Sequence, residues 1–208
     1  MLAVIDYGSG NIRSVYKALV AVGADDVCVT NNPDLIGKAD KIVLPGVGAY
    51  AQCMNGLSKI EDLISTMERR VLSSGVPFLG ICVGMQLLAS RCVEFEITKG
   101  LGWIKGEVTK LEPKSHELKI PHMGWNEAVP HNNDVFDRAW NSQAKDVYFV
   151  HSYAFRAANS ADIAASCQYG ADIFPAAIAR ENILGLQFHP EKSQKAGLQL
   201  LEAWLNTE

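Results

Sequence analysis

A cysteine at position 82 stands in a pattern that is typical of a catalytic nucleophile. The segment Gly80-Ile81-Cys82-Val83-Gly84 overlaps an apolar run at residues 78–81 and precedes a predicted helix over residues 85–90. Such a strand-to-helix turn needs small neighbours, because the nucleophile's backbone is strained and the strand and helix pack closely around it. A helix N-terminus favours a thiolate, and the Val83 amide could donate to a developing oxyanion. The spacing predicts a nucleophile; the alternative is a structural cysteine filling an apolar hole.

The sequence Gln187-Phe188-His189-Pro190-Glu191 places a base and an acid two residues apart. In an extended segment such residues project to the same side, so His189 and Glu191 can face one site. Pro190 fixes its own φ angle and biases His189 towards the extended region, which keeps the pair rigid. A carboxylate bound to one ring nitrogen would leave the other nitrogen for a nucleophile. The alternative is a solvated pair in a surface turn, but together with Cys82 the two residues predict a Cys-His-Glu triad.

The remaining thiols and imidazoles carry no such pattern. Five cysteines are an odd number, and no two have C-x-x-C spacing, which predicts reduced thiols in a cytoplasmic protein. Four of them are predicted to be structural: Cys28, Cys53, Cys92 and Cys167. The five histidines form no metal-binding motif, so we expect neither a metal nor a cofactor.

The composition excludes several classes of protein. The chain has 208 residues, of which 48% are apolar and 20% charged, and this balance excludes a disordered segment. A net charge of −4 makes nucleic-acid binding through a basic surface unexpected. No apolar stretch reaches the ~18 residues needed to span a bilayer, and no signal peptide is expected. We therefore expect neither a membrane nor a nucleic-acid partner.

The first half of the chain alternates strand-like and helix-like segments. Short apolar runs predict strands at residues 2–5, 27–29, 42–44 and 78–81. Apolar residues at helical spacing predict helices over residues 12–22 and 60–72. Strands that are apolar on both faces and separated by helices indicate a parallel sheet covered on both sides. The predicted fold class is α/β, with an open, mostly parallel sheet flanked by helices.

The second half predicts antiparallel strands. Strand-like segments lie at residues 103–108, 147–150, 176–179 and 183–186, and Glu181-Asn182 is a predicted hairpin turn. The chain ends in a predicted amphipathic helix that carries Ala196, Leu200, Ala203 and Trp204. Because neither a repeat nor a linker-like segment interrupts the sequence, we expect residues 1–208 to form a single domain.

A glycine turn after the third predicted strand has two interpretations. Residues 46–51 fit the loose dinucleotide fingerprint G-x-G-x-x-G/A, although a lone match of this kind is weak. The favoured interpretation is a backbone turn that borders the Cys82 site, because open α/β sheets bind ligands at the carboxyl ends of their strands. The first turn, at residues 8–11, fits the fingerprint less well, since Arg13 replaces the third glycine.

These motifs resemble those of the class I glutamine amidotransferases, which carry P-G-x-G, then G-x-C-x-G-x-Q, then H-P-E. The matching segments are Pro45-Gly46-Val47-Gly48, Gly80-Ile81-Cys82-Val83-Gly84-Met85-Gln86 and His189-Pro190-Glu191. Other segments resemble one subfamily, the glutaminase subunits of imidazole glycerol phosphate synthases. They are Asp6-Tyr7-Gly8-Ser9-Gly10-Asn11, Met123-Gly124-Trp125-Asn126, His151-Ser152-Tyr153 and Lys192-Ser193. The resemblance covers essentially the whole chain, but residues 112–122 and 156–175 carry no motif.

The resemblance implies a flavodoxin-like fold and hydrolysis of glutamine to glutamate and ammonia. It implies that Cys82 attacks the amide to form a γ-glutamyl thioester, while His189 transfers protons and Glu191 holds the imidazole. The implied oxyanion donors are the amides of Val47, Gly48 and Val83. The implied contacts to the substrate's amino-acid head group are Gly46, Gly48, Gln86, Ser152 and Tyr153.

The resemblance also implies a partner, a (β/α)₈-barrel cyclase subunit that uses the ammonia to make imidazole glycerol phosphate in histidine biosynthesis. The implied interface residues are Asn11, Met123, Trp125, Asn126 and Lys192, and a tryptophan and a methionine suit the core of such a contact. Glycines flank Val47, so its peptide groups can change orientation at low steric cost. We therefore expect the isolated chain to hydrolyse glutamine poorly until partner binding orders these amides.

Three other hypotheses remain open from the sequence. A dinucleotide-dependent oxidoreductase would bind its cofactor at residues 46–51, but it leaves the H-P-E motif without a role. A non-catalytic thiol sensor would oxidise Cys82 without turning over glutamine. Another class I glutaminase, such as the pyridoxal phosphate synthase subunit, is the nearest rival, and Asn11 and the Met123-Gly124-Trp125-Asn126 segment disfavour it.

Overall fold

The structure, a computed structural model, describes residues 1–115 and 117–207. Its strands are β1 (Leu2–Ile5), β2 (Val27–Thr30), β3 (Lys41–Gly46), β4 (Phe78–Cys82), β5 (Arg91–Val93), β6 (Ile97–Lys99), β7 (Gly106–Lys110), β8 (His122–Pro130), β9 (Lys145–His151), β10 (Tyr153–Ala157), β11 (Ile163–Tyr169), β12 (Asp172–Arg180) and β13 (Ile183–Leu186). Its helices are α1 (Ile12–Ala21), α2 (Pro33–Ile36), α3 (Tyr50–Ser58), α4 (Leu63–Glu68), α5 (Val83–Gln86), α6 (Asp134–Trp140) and α7 (Gln194–Leu205). Shorter helical turns cover Arg69–Ser73, Ser160–Asp162 and Pro190–Lys192.

Nine strands form the central sheet, in the order β2-β1-β3-β4-β13-β12-β11-β8-β9. The first five are parallel to one another, and β12, β11, β8 and β9 continue the sheet with antiparallel pairings. A second sheet has the order β10-β7-β5-β6. The predicted α/β fold with antiparallel strands in the second half is therefore confirmed.

Helices cover the parallel strands in two groups. The strands β1, β4 and β13 are buried along their whole length, so both faces of this part of the sheet are covered. One group contains α1, α6 and α7, with α7 contacting the other two. The other contains α2 to α5, in which α4 contacts α2 and α3, and α3 contacts α5. This arrangement leaves the carboxyl ends of β3 and β4 open to a cavity.

Some predicted elements have other boundaries. The helix expected over residues 85–90 is the single turn α5, because the carbonyls of Leu87, Leu88 and Ala89 accept hydrogen bonds from the returning segment at residues 101–104. The same segment includes Trp103 and Ile104, which were expected to begin a strand; they are buried in a turn, and the strand β7 begins at Gly106.

The helix expected over residues 60–72 is also different. The α-helix α4 is shorter and continues as a π-helical turn at Arg69–Ser73. The helix α3, which begins inside the glycine turn, was not predicted, and neither were α2, α6, β5, β6, β8, β10 and β11. Within the described residues, no helix has the length and hydropathy that crossing a membrane requires.

Candidate active site

The backbone at Cys82 has the strained geometry of a nucleophile elbow. Cys82 ends β4 with a φ angle of 54°, in a backbone region that residues other than glycine rarely adopt. A side chain on Gly80 would lie 2.6 Å from the Gly84 carbonyl oxygen, and one on Gly84 would overlap the Leu44 carbonyl oxygen. The predicted need for small residues on both sides of the cysteine is confirmed.

His189 and Glu191 form a buried, hydrogen-bonded pair in the turn that follows β13. His189 Nδ1 lies 2.8 Å from Glu191 Oε1, and both side chains are almost fully buried. The His189 amide donates to the Tyr148 carbonyl (2.9 Å), and Ser193 Oγ donates to the His189 carbonyl (2.7 Å). The carboxylate therefore holds the proton on Nδ1, and His189 Nε2 has no hydrogen-bond partner among the described residues.

Cys82 and His189 line one cavity of about 610 Å³, a volume typical of small-molecule sites. No hydrogen bond joins the thiol to His189 Nε2 in this conformation, and catalytic hydrogen bonds often close only when substrate binds. Burial lowers the pKa of His189, but the Cys82 thiol and the Glu191 carboxylate raise it by more, so the net pKa lies above its usual value. The two neighbours therefore outweigh burial in setting the pKa of this imidazole.

The glycine turn after β3 also borders this cavity, through Val47 and Gly48. The Val47 amide donates to Ser9 Oγ (3.3 Å), and Ser9 Oγ donates back to the Val47 carbonyl (2.6 Å). The Val47 amide, which was expected to stabilise an oxyanion, is therefore engaged by Ser9 in this conformation. The Val83 residue that begins α5 lines the cavity beside Cys82.

The expected head-group contacts divide into cavity and supporting positions. Ser152, Tyr153 and Gln86 line the cavity. Gln86 Nε2 donates to the Tyr153 carbonyl (2.8 Å), so this side chain also positions the segment that follows β9. Gly46 lies outside the lining; a side chain there would come within 2.7 Å of the Gly84 amide nitrogen, so Gly46 permits the elbow to pack.

A family profile described as "Glutamine amidotransferase class-I" matches residues 3–206. The chain belongs to this family. It is 48% identical over 207 residues to "Imidazole glycerol phosphate synthase subunit HisH" of Zymomonas mobilis, covering 99% of this chain and 95% of the relative. The protein of the same name from Caulobacter vibrioides is 46% identical over 210 residues, covering 98% and 97% of the two chains. The relatives therefore place this amidotransferase in the HisH family.

Solved structures show the same fold at low sequence identity. "Structure of PurLQS from Thermotoga maritima" matches with a TM-score of 0.74 and 21% identity, covering 99% of this chain and 97% of that one. The glutaminase domain of Trypanosoma brucei CTPS matches with a TM-score of 0.67 and 15% identity, covering 100% of this amidotransferase and 94% of that chain. These likenesses confirm the fold.

One acidic residue in the cavity of this amidotransferase was missed from the sequence. Glu94 lines the cavity, and its Oε2 accepts a hydrogen bond from the Tyr50 amide at the start of α3 (3.0 Å). A fixed carboxylate in a small-molecule site suits an ammonium group on the ligand. Glu94 lies in the short connection between β5 and β6, outside every motif, so no local pattern could have identified it.

The expected interface residues lie in two kinds of environment. Met123 and Trp125 are exposed on β8, with 62% and 49% of their surface accessible. The Lys192 ammonium lies 5.7 Å from the centre of the Tyr148 ring, which also contacts Trp125 edge to face. These four side chains form a mixed aromatic and basic surface, called the β8 surface below.

Asn11 and Asn126, expected in the same interface, direct their side chains into the protein. Asn11 Nδ2 lies 3.4 Å from Glu191 Oε1, and so contacts the acid that orients His189. Asn126 Nδ2 lies 3.2 Å from His122 Nε2 and donates to the Gln168 carbonyl at 2.9 Å. Both side chains therefore support internal groups.

A second pair of histidines is buried beside the cavity. His122 Nδ1 lies 3.2 Å from His151 Nε2, and His151 Nδ1 lies 2.9 Å from the Tyr153 carbonyl. Because a carbonyl only accepts, His151 carries its proton on Nδ1 and accepts from His122 at Nε2. His122 Nε2 then accepts from the Asn126 amide. Burial lowers the pKa of His122 to about 4 and that of His151 to about 3, so both rings are neutral at pH 7.

Proposed function

We propose that this chain hydrolyses glutamine to glutamate and ammonia, with Cys82 as nucleophile, His189 as acid and base, and Glu191 as the group that orients the imidazole. The observation that carries the proposal is the convergence of a strained cysteine elbow and a buried His-Glu pair on one cavity. Membership of the class I glutamine amidotransferase family supports the same reaction.

The proposed reaction runs in two steps. The Cys82 thiolate attacks the side-chain amide carbon, and the resulting tetrahedral oxyanion collapses to a γ-glutamyl thioester as His189 protonates the departing ammonia. Water then attacks the thioester; His189 takes its proton, and glutamate leaves with the sulfur restored as a thiolate. General acid–base assistance of this kind is typically worth ~10²–10⁴-fold in rate.

The oxyanion of the first step would accept hydrogen bonds from the Val83 amide and from the turn at Val47 and Gly48. Each such donor contributes about 3–4 kcal/mol to transition-state stabilisation. Since Ser9 engages both backbone groups of Val47, this turn must reorient before the Val47 amide can contribute. Gly48, with a φ angle of 96°, gives the turn a position where such a change is inexpensive.

The cavity fits the amino-acid end of glutamine. We propose that Glu94 pairs with its α-ammonium group, and that Ser152 and Tyr153, together with the backbone at Gly48, bind its α-carboxylate. Gln86 would act on this segment through the Tyr153 carbonyl, and Gly46 through the packing of the elbow.

The relatives are named as subunits of imidazole glycerol phosphate synthase, and this supports a proposal about the fate of the ammonia. We propose that the chain forms a heterodimer with a (β/α)₈-barrel cyclase subunit, which receives the ammonia without its release to solvent and makes imidazole glycerol phosphate in histidine biosynthesis. The exposed β8 surface supports a partner contact there. The five free cysteines support a cytoplasmic location, and the match over residues 3–206 supports a single domain.

Glutamate and ammonia release by the full chain, with and without the liganded cyclase subunit, tests the proposal. We expect slow hydrolysis alone, a large increase with the partner, and loss of both rates in Cys82→Ala. The matched control is Cys28→Ala, since Cys28 lies half-buried on β2, away from the cavity. Turnover that survives Cys82→Ala would contradict the proposal. Equal rates with and without the partner would contradict the reorientation of the Val47 turn.

A further inference from the structure

Gln187 is a completely buried polar residue beside Cys82 for which the proposed mechanism has no role. It lies between β13 and His189, with none of its surface accessible. Its Oε1 accepts a hydrogen bond from Gln86 Nε2 (3.0 Å), and its Nε2 lies 3.9 Å from Cys82 Sγ. An amide this deeply buried is costly unless its polar atoms find partners. One of those partners is the sulfur that attacks the substrate.

The orientation of the Gln187 amide is determined by its neighbours. The Tyr153 carbonyl can only accept a hydrogen bond, so Gln86 must present its NH₂ group there. The second hydrogen of the same NH₂ group then faces Gln187, which must present its oxygen to it. The NH₂ group of Gln187 is consequently the end that faces Cys82 Sγ.

An N–H donor aimed at sulfur distinguishes the two protonation states of cysteine. It stabilises a thiolate more than a thiol, because hydrogen bonds to an ionised acceptor are shorter and stronger. The separation of 3.9 Å is long, and it leaves room for the contact to shorten when the sulfur carries a charge.

We propose that Gln187 is a further catalytic residue, whose side-chain NH₂ group donates to Cys82 Sγ and stabilises the thiolate. Before attack, the donor raises the fraction of Cys82 that is ionised. In the second step it acts on the leaving group. Water adds to the acyl carbon and His189 takes the water's proton. The C–S bond then breaks with its electron pair on sulfur, and this thiolate accepts a hydrogen bond from the Gln187 NH₂ group. This second role rests on the proposed function, whereas the first does not.

The alkylation rate of Cys82 by iodoacetamide, followed from pH 5 to pH 10 in the full chain, measures the thiolate directly. The adduct is located by mass spectrometry, which separates Cys82 from the other four cysteines. In Gln187→Met, which keeps the shape but removes the donor, we expect the midpoint to rise by about one pH unit, so that alkylation below the midpoint is about tenfold slower. Gln187→Glu should raise it further, because a carboxylate repels a thiolate.

The matched controls are Gln168→Met and Gln168→Glu, since Gln168 is an exposed glutamine on β11. They should leave the midpoint unchanged. A Gln187→Met variant that folds and keeps the wild-type midpoint would overturn the proposal, because a purely structural glutamine could be lost without affecting the titration of the sulfur.

A measurement on the unmodified sequence covers the case in which the Gln187 variants fail to fold. The side-chain NH₂ signals of Gln187, in an ¹⁵N-labelled chain, should move downfield as Cys82 ionises, and this movement should be absent in Cys82→Ala. Signals that do not respond to the ionisation would overturn the proposal. A normal response in a chain without glutaminase activity would leave the Gln187 contact established and reject the proposed function; glutaminase activity without the response would do the reverse.

Discussion

His189 and His151 line the same cavity, are both buried, and yet differ in the direction of their pKa shifts. The pKa of His151 is lowered to about 3 by burial, and its side-chain hydrogen bonds among the described residues are to a carbonyl and to another neutral imidazole. The pKa of His189 is raised, because a thiol and a carboxylate outweigh its burial. Burial alone therefore makes an imidazole inert at neutral pH, and only charged or ionisable neighbours make it an acid and base.

The largest expected effect comes from giving His189 the uncharged environment of His151. In Glu191→Gln the amide still accepts from His189 Nδ1, but the carboxylate that stabilises the imidazolium is gone, so we expect the pKa of His189 to fall and kcat for glutamine hydrolysis to drop ~10²–10⁴-fold. The steady-state rate with the partner present measures this. The control is Glu202→Gln, at an exposed position on α7, which should leave the rate of glutamine hydrolysis unchanged. A rate in Glu191→Gln within twofold of the wild-type rate would show that the carboxylate does not cause the functional difference between His189 and His151.

Because their pKa values shift in opposite directions, His151 and His189 are expected to make the stability of the chain depend on pH in opposite ways. In the unfolded chain the pKa of both histidines is about 6.5. Since the pKa of His151 in the folded chain is about 3, its contribution to the free energy of unfolding is complete above pH 6.5. This contribution is lost as the pH falls below 6.5. Between pH 6.5 and pH 4.5 this amounts to about 2–3 kcal/mol of the free energy of unfolding. The contribution of His189 has the other sign: it is complete below pH 6.5 and lost as the pH rises.

Urea unfolding of the isolated chain at half-unit pH intervals measures the free energy of unfolding as a function of pH. Its fall below pH 6.5 is the acid limb of this curve, and its fall above pH 6.5 is the alkaline limb. His151→Asn should flatten the acid limb, while Glu191→Gln should flatten the alkaline one. The control is His131→Asn, because His131 is exposed and should leave both limbs as they are. If the acid limb stays equally steep in His151→Asn, the lost stability belongs to another group that titrates in this range, such as His122, whose pKa burial lowers to about 4.

The two histidine sites also differ in how far the sequence could predict them. His189 and Glu191 are separated by one proline, so their pairing follows from local geometry alone. His122 and His151 meet only because β8 and β9 pair in the register that sets them opposite each other. Long-range pairing of this kind leaves no local pattern, and for the same reason neither the cavity position of Glu94 nor the contact of Gln187 with Cys82 could be predicted.

The same distinction holds for the fold. The strands β1, β3, β4 and β13 are apolar on both faces, so their composition alone identifies them. The strand β8 was missed because its exposed positions include the large apolar residues Met123 and Trp125, so its hydropathy does not follow its burial. Its partner β11 was missed because the residues that it buries, Ala164, Ala165 and Cys167, are small. The helix α3 was missed because Gly56, which its close approach to the Tyr7 carbonyl requires, lowers its helical signal.

The smallest expected effect on activity, and the sharpest test of the comparison, comes from giving His122 a carboxylate. Asn126→Asp replaces the neutral donor at His122 Nε2 with an acceptor that carries a charge. We expect the pKa of His122 to rise from about 4 by about 1–3 units, because an adjacent opposite charge favours the imidazolium. Glutamine hydrolysis should change by less than about tenfold, since neither residue touches the reacting atoms. The imidazole ¹⁵N shifts of His122, followed through a pH titration, report the change.

The control for this variant is Asn126→Ala, which removes the same hydrogen bond without adding a charge. If both variants raise the pKa of His122 equally, greater access of water to the ring explains the rise, and the carboxylate has no special part. If only Asn126→Asp raises it, the adjacent carboxylate accounts for the change, as Glu191 contributes to the raised pKa of His189. A neighbouring carboxylate would then be enough to raise the pKa of a buried imidazole, and at His189 the Cys82 thiol adds to the same effect.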